Sequence, residues 1–182
     1  MIDAAIEVAA KAHQNQFRKT TDTPYISHPY AVGLLLAQFG CSEEVIAAGI
    51  LHDTVEDTEI TLEYIKENFG DKVASIVEGC SEPDKSLPWK ARKRHTIEFL
   101  KTASLEVRMV TCADKLHNIR TIVSAYEKIG DAVWERFNSG KNEQKWYYQE
   151  LVESLCNPLD CQKEGTLFHQ FRQVVESLFS PS

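Results

Sequence analysis

The string Leu51-His52-Asp53-Thr54-Val55-Glu56-Asp57-Thr58 sets an imidazole beside a carboxylate and adds two further carboxylates within one helical turn. A neutral imidazole nitrogen and a carboxylate oxygen together suit a divalent transition ion such as Mn²⁺, Fe²⁺ or Zn²⁺. Carboxylates not needed as ligands can position a water and take its proton. A His-Asp pair alone is common by chance. Its weight here comes from two distant segments, Tyr25-Ile26-Ser27-His28-Pro29 and Ala113-Asp114-Lys115-Leu116-His117-Asn118. A His, a His-Asp pair and a distant Asp, brought to one point, supply four protein ligands. They leave positions for water and substrate oxygens in an octahedral shell. Asp114 and Asn118 are four apart and so share one face of a helix.

The elements that must position these groups read almost entirely as helix. Ile2 to His13 carries apolar residues at helical spacing, and Tyr30 to Phe39 follows Pro29 as a helix following its first-turn proline. Ser42 caps the next, which runs through the apolar stretch Val45–Leu51 to about His52. Thr61 caps a short helix that ends at Gly70, and Asp71 starts another. Glu82 to Pro88 is a loop by its prolines and polar residues. Helices then cover about Trp89 to Thr102, Leu105 to Glu127, a shorter stretch from Asp131, and Glu143 to Leu155. After an interruption from Asn157 to Gly165, a last helix through Leu167, Phe171 and Leu178 packs back on the domain or on a partner subunit. No segment alternates as a strand would. The expected fold is all-α, a compact multi-helix single domain over 1–155, with 156–182 as a loop and a packing helix. The long polar segment from Gln14 to His28 is a functional candidate by its length.

Ala12-His13, Arg18-Lys19-Thr20, Pro24-Tyr25-Ile26-Ser27-His28-Pro29, the His-Asp string and Ala113-Asp114-Lys115-Leu116-His117-Asn118-Ile119-Arg120-Thr121 resemble the hydrolase domain of the RelA/SpoT family. That HD-type domain removes pyrophosphate from the 3′ position of the alarmone (p)ppGpp. The likeness runs in order from near the N-terminus to about Leu155. Long members of the family continue into a synthetase domain, so this chain resembles the stand-alone small alarmone hydrolases, the class that includes the metazoan SpoT homologue. Asn15 and Thr21 stand where the family commonly has Gly. The resemblance implies metal ligands His28, His52, Asp53 and Asp114, with Mn²⁺ as the usual ion. It implies that Glu56 and Asp57 position or deprotonate the attacking water. It sets Arg18 against the purine base, and Lys19, Ser27, Lys93 and Asn118 near the phosphates or ribose.

Each of these residues also has a plainer reading. His28 before Pro29, taken alone, marks a helix start, and Glu56 and Asp57 are ordinary acids of a first turn. Their joint presence with the other groups favours ligand and catalyst. His13 and His117 read as structural, and Trp146 reads as core, while Tyr147 and Tyr148 fit either core or a base-stacking wall.

Bulk properties exclude several classes. The 182 residues carry 43% hydrophobic and 26% charged residues, the balance of a globular protein. No apolar run approaches a membrane span, and the start Met1-Ile2-Asp3-Ala4 lacks a signal-peptide pattern, so a cytoplasmic protein is expected. The net charge of −7 argues against a nucleic-acid surface. Five scattered cysteines with no Cys-x-x-Cys make a poor disulfide or zinc framework; a Cys156–Cys161 regulatory pair is the minor alternative. The expected partner is a small-molecule nucleotide, with no membrane or nucleic acid, and a homo-oligomer stays open. The rival functions are a phosphatase for another 2′- or 3′-phosphorylated nucleotide such as NADPH, and a catalytically silent nucleotide-sensing module.

Overall fold

The computed structural model describes residues 1–19, 21–82, 86–155 and 165–180. Ten α-helices and one 3-10 helix are assigned among them: α1 (Ile2–Ala12), α2 (Ser27–Gln38), α3 (Glu43–Leu51), α4 (Thr54–Asp57), α5 (Leu62–Phe69), α6 (Asp71–Cys80), α7 (Trp89–Leu100), α8 (Leu105–Ile129), the 3-10 helix Gly130–Arg136, α9 (Gly140–Leu155) and α10 (Leu167–Phe179). The fold is all-α. The nearest thing to a strand among the described residues is an isolated antiparallel bridge between Phe17 and Pro24. The chain packs as two compact units. One comprises Met1–Pro83 with Ser104–Asp114, and the other Asp84–Ala103 with Lys115–Ser182.

In the first unit α3 is the central element. Val45 through Leu51 are all buried, so this helix is apolar on every side and must be surrounded. It packs against α1, α2 and α6, which present Ala5 and Ala9, Val32 and Leu36, and Val73 and Val77. Two glycines set the distance between α2 and α3. A Cβ on Gly33 would stand 2.6 Å from Ile50 Cγ1, and one on Gly49 would run into Leu36 Cδ1. The close pairing brings the start of α2 beside the end of α3. Farther on, the Thr61 hydroxyl accepts from the Tyr64 N–H at 3.1 Å and caps α5, and Gly70 at φ 91° ends it.

In the second unit α9 packs on α7 and on α10. The Tyr148 ring lies 6.2 Å from Phe171 and 6.3 Å from Phe179, so α10 closes back onto α9.

The structure departs from the sequence reading at several points. α2 begins at Ser27, so His28 and Pro29 lie inside its first turn. Proline fits there because first-turn N–H groups have no partner within the helix. Ser42 occupies the N-cap position of α3 but makes no capping hydrogen bond through its side chain. The short element after Asp131 is a 3-10 helix. Trp146, expected in the core, is half-buried, while Tyr147 and Tyr148, which fitted either core or a stacking wall, are buried. The inward face of α9 runs through Tyr147, Tyr148, Leu151 and Leu155, and Trp146 sits off that stripe against Trp89, ring centroids 6.3 Å apart. Thr20, the centre of the predicted Glu82–Pro88 loop (residues 83–85), and the possible Cys156–Cys161 pair lie outside the described residues.

Candidate metal centre

Four elements of the first unit deliver four side chains to one point. α2 carries His28 in its first turn, α3 ends on His52, Asp53 stands at the N-cap of α4, and Asp114 comes from α8. His28 and His52 are buried, their rings 5.3 Å apart. His28 Nε2 lies 3.1 Å from Asp114 Oδ1 and 3.6 Å from Asp53 Oδ2. His52 Nε2 lies 3.1 Å from Asp53 Oδ2 and 3.9 Å from Asp114 Oδ1. Donor atoms of His28, His52 and Asp114 all fall within 4.8 Å of one another.

The chemistry of this donor set fits a divalent ion. His52 Nδ1 is 2.7 Å from the Gly49 carbonyl, which can only accept, so Nδ1 carries the proton. Were the ring neutral, Nε2 would present a lone pair. It is buried and faces two carboxylate oxygens, Asp53 Oδ2 at 3.1 Å and Asp114 Oδ1 at 3.9 Å. Lone pair against carboxylate is repulsive unless something positive lies between them. Burial alone would pull the His52 pKa down, but Asp53 and then Asp114 override it and hold it up at about 9. The same carboxylates raise His28 less than its burial lowers it, and that ring is kept neutral. Burial raises the Asp53 pKa, yet the two imidazoles outweigh it and hold the carboxyl below its usual range. One site proton thus stands where a divalent ion would sit, and an ion that binds there releases it. The arrangement is a His/His/Asp group able to hold a divalent ion, with Asp53 at its edge.

The surroundings hold these side chains in place. Thr54, fully buried, donates to the Leu51 carbonyl at 2.7 Å and locks the His-Asp turn. Tyr25 donates its hydroxyl to Asp53 Oδ2 at 2.6 Å. Burial, followed by Asp53, pushes the Tyr25 phenol far above its ordinary pKa, so it remains a donor. His13, also buried, has its ring 4.9 Å from that of Tyr25 and tilted to it, and its Nδ1 is 2.8 Å from Gln16 Oε1. Sequence reasoning assigned no site role to Tyr25 or Gln16. The one available signal was Tyr25 lying three residues before His28 within a long polar loop.

The remaining predicted site residues fall into two groups. Glu56 and Asp57 lie on α4, three and four residues after Asp53, and so on its side of the helix. Glu56 Oε2 accepts from the Glu82 backbone N–H at 3.3 Å. Ser27 opens α2 and is exposed. Lys19 is exposed in the preceding loop, and the Arg18 guanidinium lies 5.7 Å above the Tyr25 ring. Thr21, where the family commonly has Gly, turns its hydroxyl to the Arg18 carbonyl at 3.3 Å. Lys93 and Asn118 belong to the second unit, where Lys93 Nζ lies 5.2 Å over the Tyr147 ring. Asn118 is one turn beyond Asp114 along α8.

The HD-domain family profile matches residues 5–139. A MESH1 guanosine-3′,5′-bis(diphosphate) 3′-pyrophosphohydrolase from Xenopus tropicalis is 42% identical over 125 residues, covering 67% of this chain and 69% of that protein. A GTP pyrophosphokinase from Streptomyces coelicolor is 36% identical over 169 residues, covering 86% of this chain. The chain spans only 20% of that relative's length and 16% of a mycobacterial one. Among solved structures, a metazoan SpoT orthologue that hydrolyses ppGpp superposes with a TM-score of 0.79 at 26% identity over 98% of this chain and 95% of that one, and lmo0812 from Listeria monocytogenes with a TM-score of 0.78 at 38% identity over 85% of this chain and 99% of that one.

Proposed function

The chain belongs to the HD-domain family, and from that premise we propose that it is a metal-dependent hydrolase of the 3′-pyrophosphate of (p)ppGpp or its adenine counterpart, releasing pyrophosphate and the 5′-di- or triphosphate. The convergence of the buried His28 and His52 Nε2 atoms on Asp53 and Asp114, held together without a metal by a proton, carries this reading, because a cation can take that proton's place. His28, His52, Asp53 and Asp114 hold the ion, with Mn²⁺ as the expected metal. A divalent ion there neutralises phosphoryl oxygens and lowers the pKa of water.

The chain's own groups do the rest. Glu56, steadied by the Glu82 N–H, takes the proton of the attacking water, and Asp57 orients that water. Water adds to the phosphorus carried on the 3′ oxygen, the P–O3′ bond breaks, and the 3′ oxygen recovers the proton. Arg18 stacks on the purine, and Lys19, Ser27, Lys93 and Asn118 bind phosphates or ribose. Arg18, Lys19 and Lys93 matter because the chain's net charge of −7 repels a polyanionic substrate. The HD domain is assigned to 1–155 and the remainder to a packing extension. The partner is a small nucleotide rather than a nucleic acid. Among the described residues no helix is long and apolar enough to cross a membrane, in keeping with a cytoplasmic setting.

The long relatives named as pyrophosphokinases are matched over a small share of their length. The relative of comparable size, matched over 69% of its length, is named as the hydrolase, which favours hydrolysis. A silent sensing module would not need an intact ligand set followed by two acids. The deciding experiment incubates Mn²⁺-loaded protein with ppGpp, pppApp and NADPH and identifies the products. Pyrophosphate release from either alarmone supports the proposal. Orthophosphate release from NADPH alone supports the phosphatase reading, and no turnover of any substrate supports the sensor.

A further inference from the structure

We propose that Tyr25 is a positioning residue that couples the loop before α2 to the metal centre: its hydroxyl fixes the Asp53 carboxylate for the ion, and ion binding in turn stiffens the loop carrying Arg18 and Lys19. The inference rests on the metal-centre reading above.

The same oxygen, Asp53 Oδ2, faces His52 Nε2 at 3.1 Å, faces His28 Nε2 at 3.6 Å, and accepts the Tyr25 hydroxyl at 2.6 Å. An ionised carboxylate oxygen has two lone pairs. The hydroxyl takes one from the loop side and leaves the other turned towards the imidazoles. Without that bond the carboxylate loses its restraint on the loop side, and the terminal torsion of Asp is broad. The Tyr25 ring itself has little freedom. It is held between His13, at 4.9 Å, and His28, at 5.9 Å and edge-on.

The loop is tied to Tyr25 and to a second anchor. Tyr25 N–H donates to the Gln16 carbonyl at 2.8 Å, and Arg18 N–H donates to the Thr23 carbonyl at 2.9 Å. Gln16 Nε2 donates to the Asp57 carbonyl at 2.8 Å. That carbonyl can only accept, so the Gln16 amide orientation is fixed and its Oε1 accepts from His13 Nδ1. The loop is therefore pinned to both ends of α4, through Tyr25 at Asp53 and through Gln16 at Asp57. Arg18, over the Tyr25 ring, rides on this frame. Coupling of this kind is reciprocal: what steadies Asp53 steadies the loop, and the reverse.

The test is calorimetric titration of Mn²⁺ into metal-free protein, with hydrogen exchange of the loop peptides measured with and without Mn²⁺. Tyr25→Phe keeps the ring and removes only the hydroxyl. We expect its Mn²⁺ affinity to fall about 10–100-fold, the usual effect of losing a partner that orients a ligand. In the wild type Mn²⁺ should slow exchange in the loop, and in Tyr25→Phe that protection should be lost. Gln16→Met, which breaks the other anchor without touching a ligand, should also reduce the protection while retaining more Mn²⁺ affinity than Tyr25→Phe. Wild-type Mn²⁺ affinity in Tyr25→Phe, or loop exchange indifferent to Mn²⁺ in the wild type, overturns the positioning role while leaving the metal centre standing. Failure of the wild type to bind Mn²⁺ at all overturns the metal centre and this inference with it.

Discussion

His52 places opposite demands on its two ring nitrogens, and the Gly49 carbonyl settles which one keeps the proton. His52 Nε2 and the two carboxylates it faces act as a unit, so losing one member should disable the rest. Asp53→Ala should abolish both Mn²⁺ binding and turnover; full metal content with full activity in that variant would refute the ligand assignment. Glu56 tests chemistry apart from binding. Glu56→Gln still accepts the Glu82 N–H but cannot take a proton, so metal and nucleotide binding should persist while kcat falls about 10²–10⁴-fold. A kcat near wild type would remove Glu56 from water activation. Arg18 tests stacking. Its guanidinium already lies over an aromatic ring, and Lys keeps the charge without the plane. Arg18→Lys should therefore raise KM for ppGpp more than it lowers kcat, as expected when an interaction is equal in ground and transition states. An unchanged KM argues instead for simple charge neutralisation.

At the level of elements, the separation of α2 and α3 decides whether His28 and His52 can meet. Gly33 is the contact where an added side chain must displace Ile50, itself buried. Gly33→Val should cost about 1–3 kcal/mol of stability by overpacking. Because the helices would be pushed apart at the site, Mn²⁺ affinity should fall as well. Denaturant titration and calorimetry together check this, and a stable variant with undiminished Mn²⁺ binding would show that the close approach is not what sets the site. The helices themselves followed from familiar signals: the Thr61 cap, the Gly70 stop and the all-round apolar run of α3. The start of α2 did not, because Pro29 was read as the beginning of the helix when it sits at the third position.

For the whole molecule, the ion is expected to act as a cross-link among three helices and the α3–α4 turn. A ligand bound only by the folded state at about 100 times its Kd adds about 2.7 kcal/mol. For a chain of this size that corresponds to roughly 5–10 °C in Tm. Chelation of the Mn²⁺-loaded protein should lower Tm by that amount, and re-addition should restore it. Equal melting with and without chelator would mean that the buried cluster is held by its internal proton alone.

The sequence by itself determined the helical class, because period-3.6 patterning and caps are local. It also made His28, His52, Asp53 and Asp114 stand out, because metal-ligand chemistry is tied to residue type and the motifs are dense. Which atoms of those residues face one another was decided only by tertiary structure. The Gly33–Ile50 and Gly49–Leu36 approaches set the helix spacing, and the fixed tautomer of His52 follows from a carbonyl three residues back. Tyr25 and Gln16 lay beyond the reach of the sequence for the same reason. Their roles depend on hydrogen bonds to residues 28 and 41 positions away, and no local pattern encodes such a pairing.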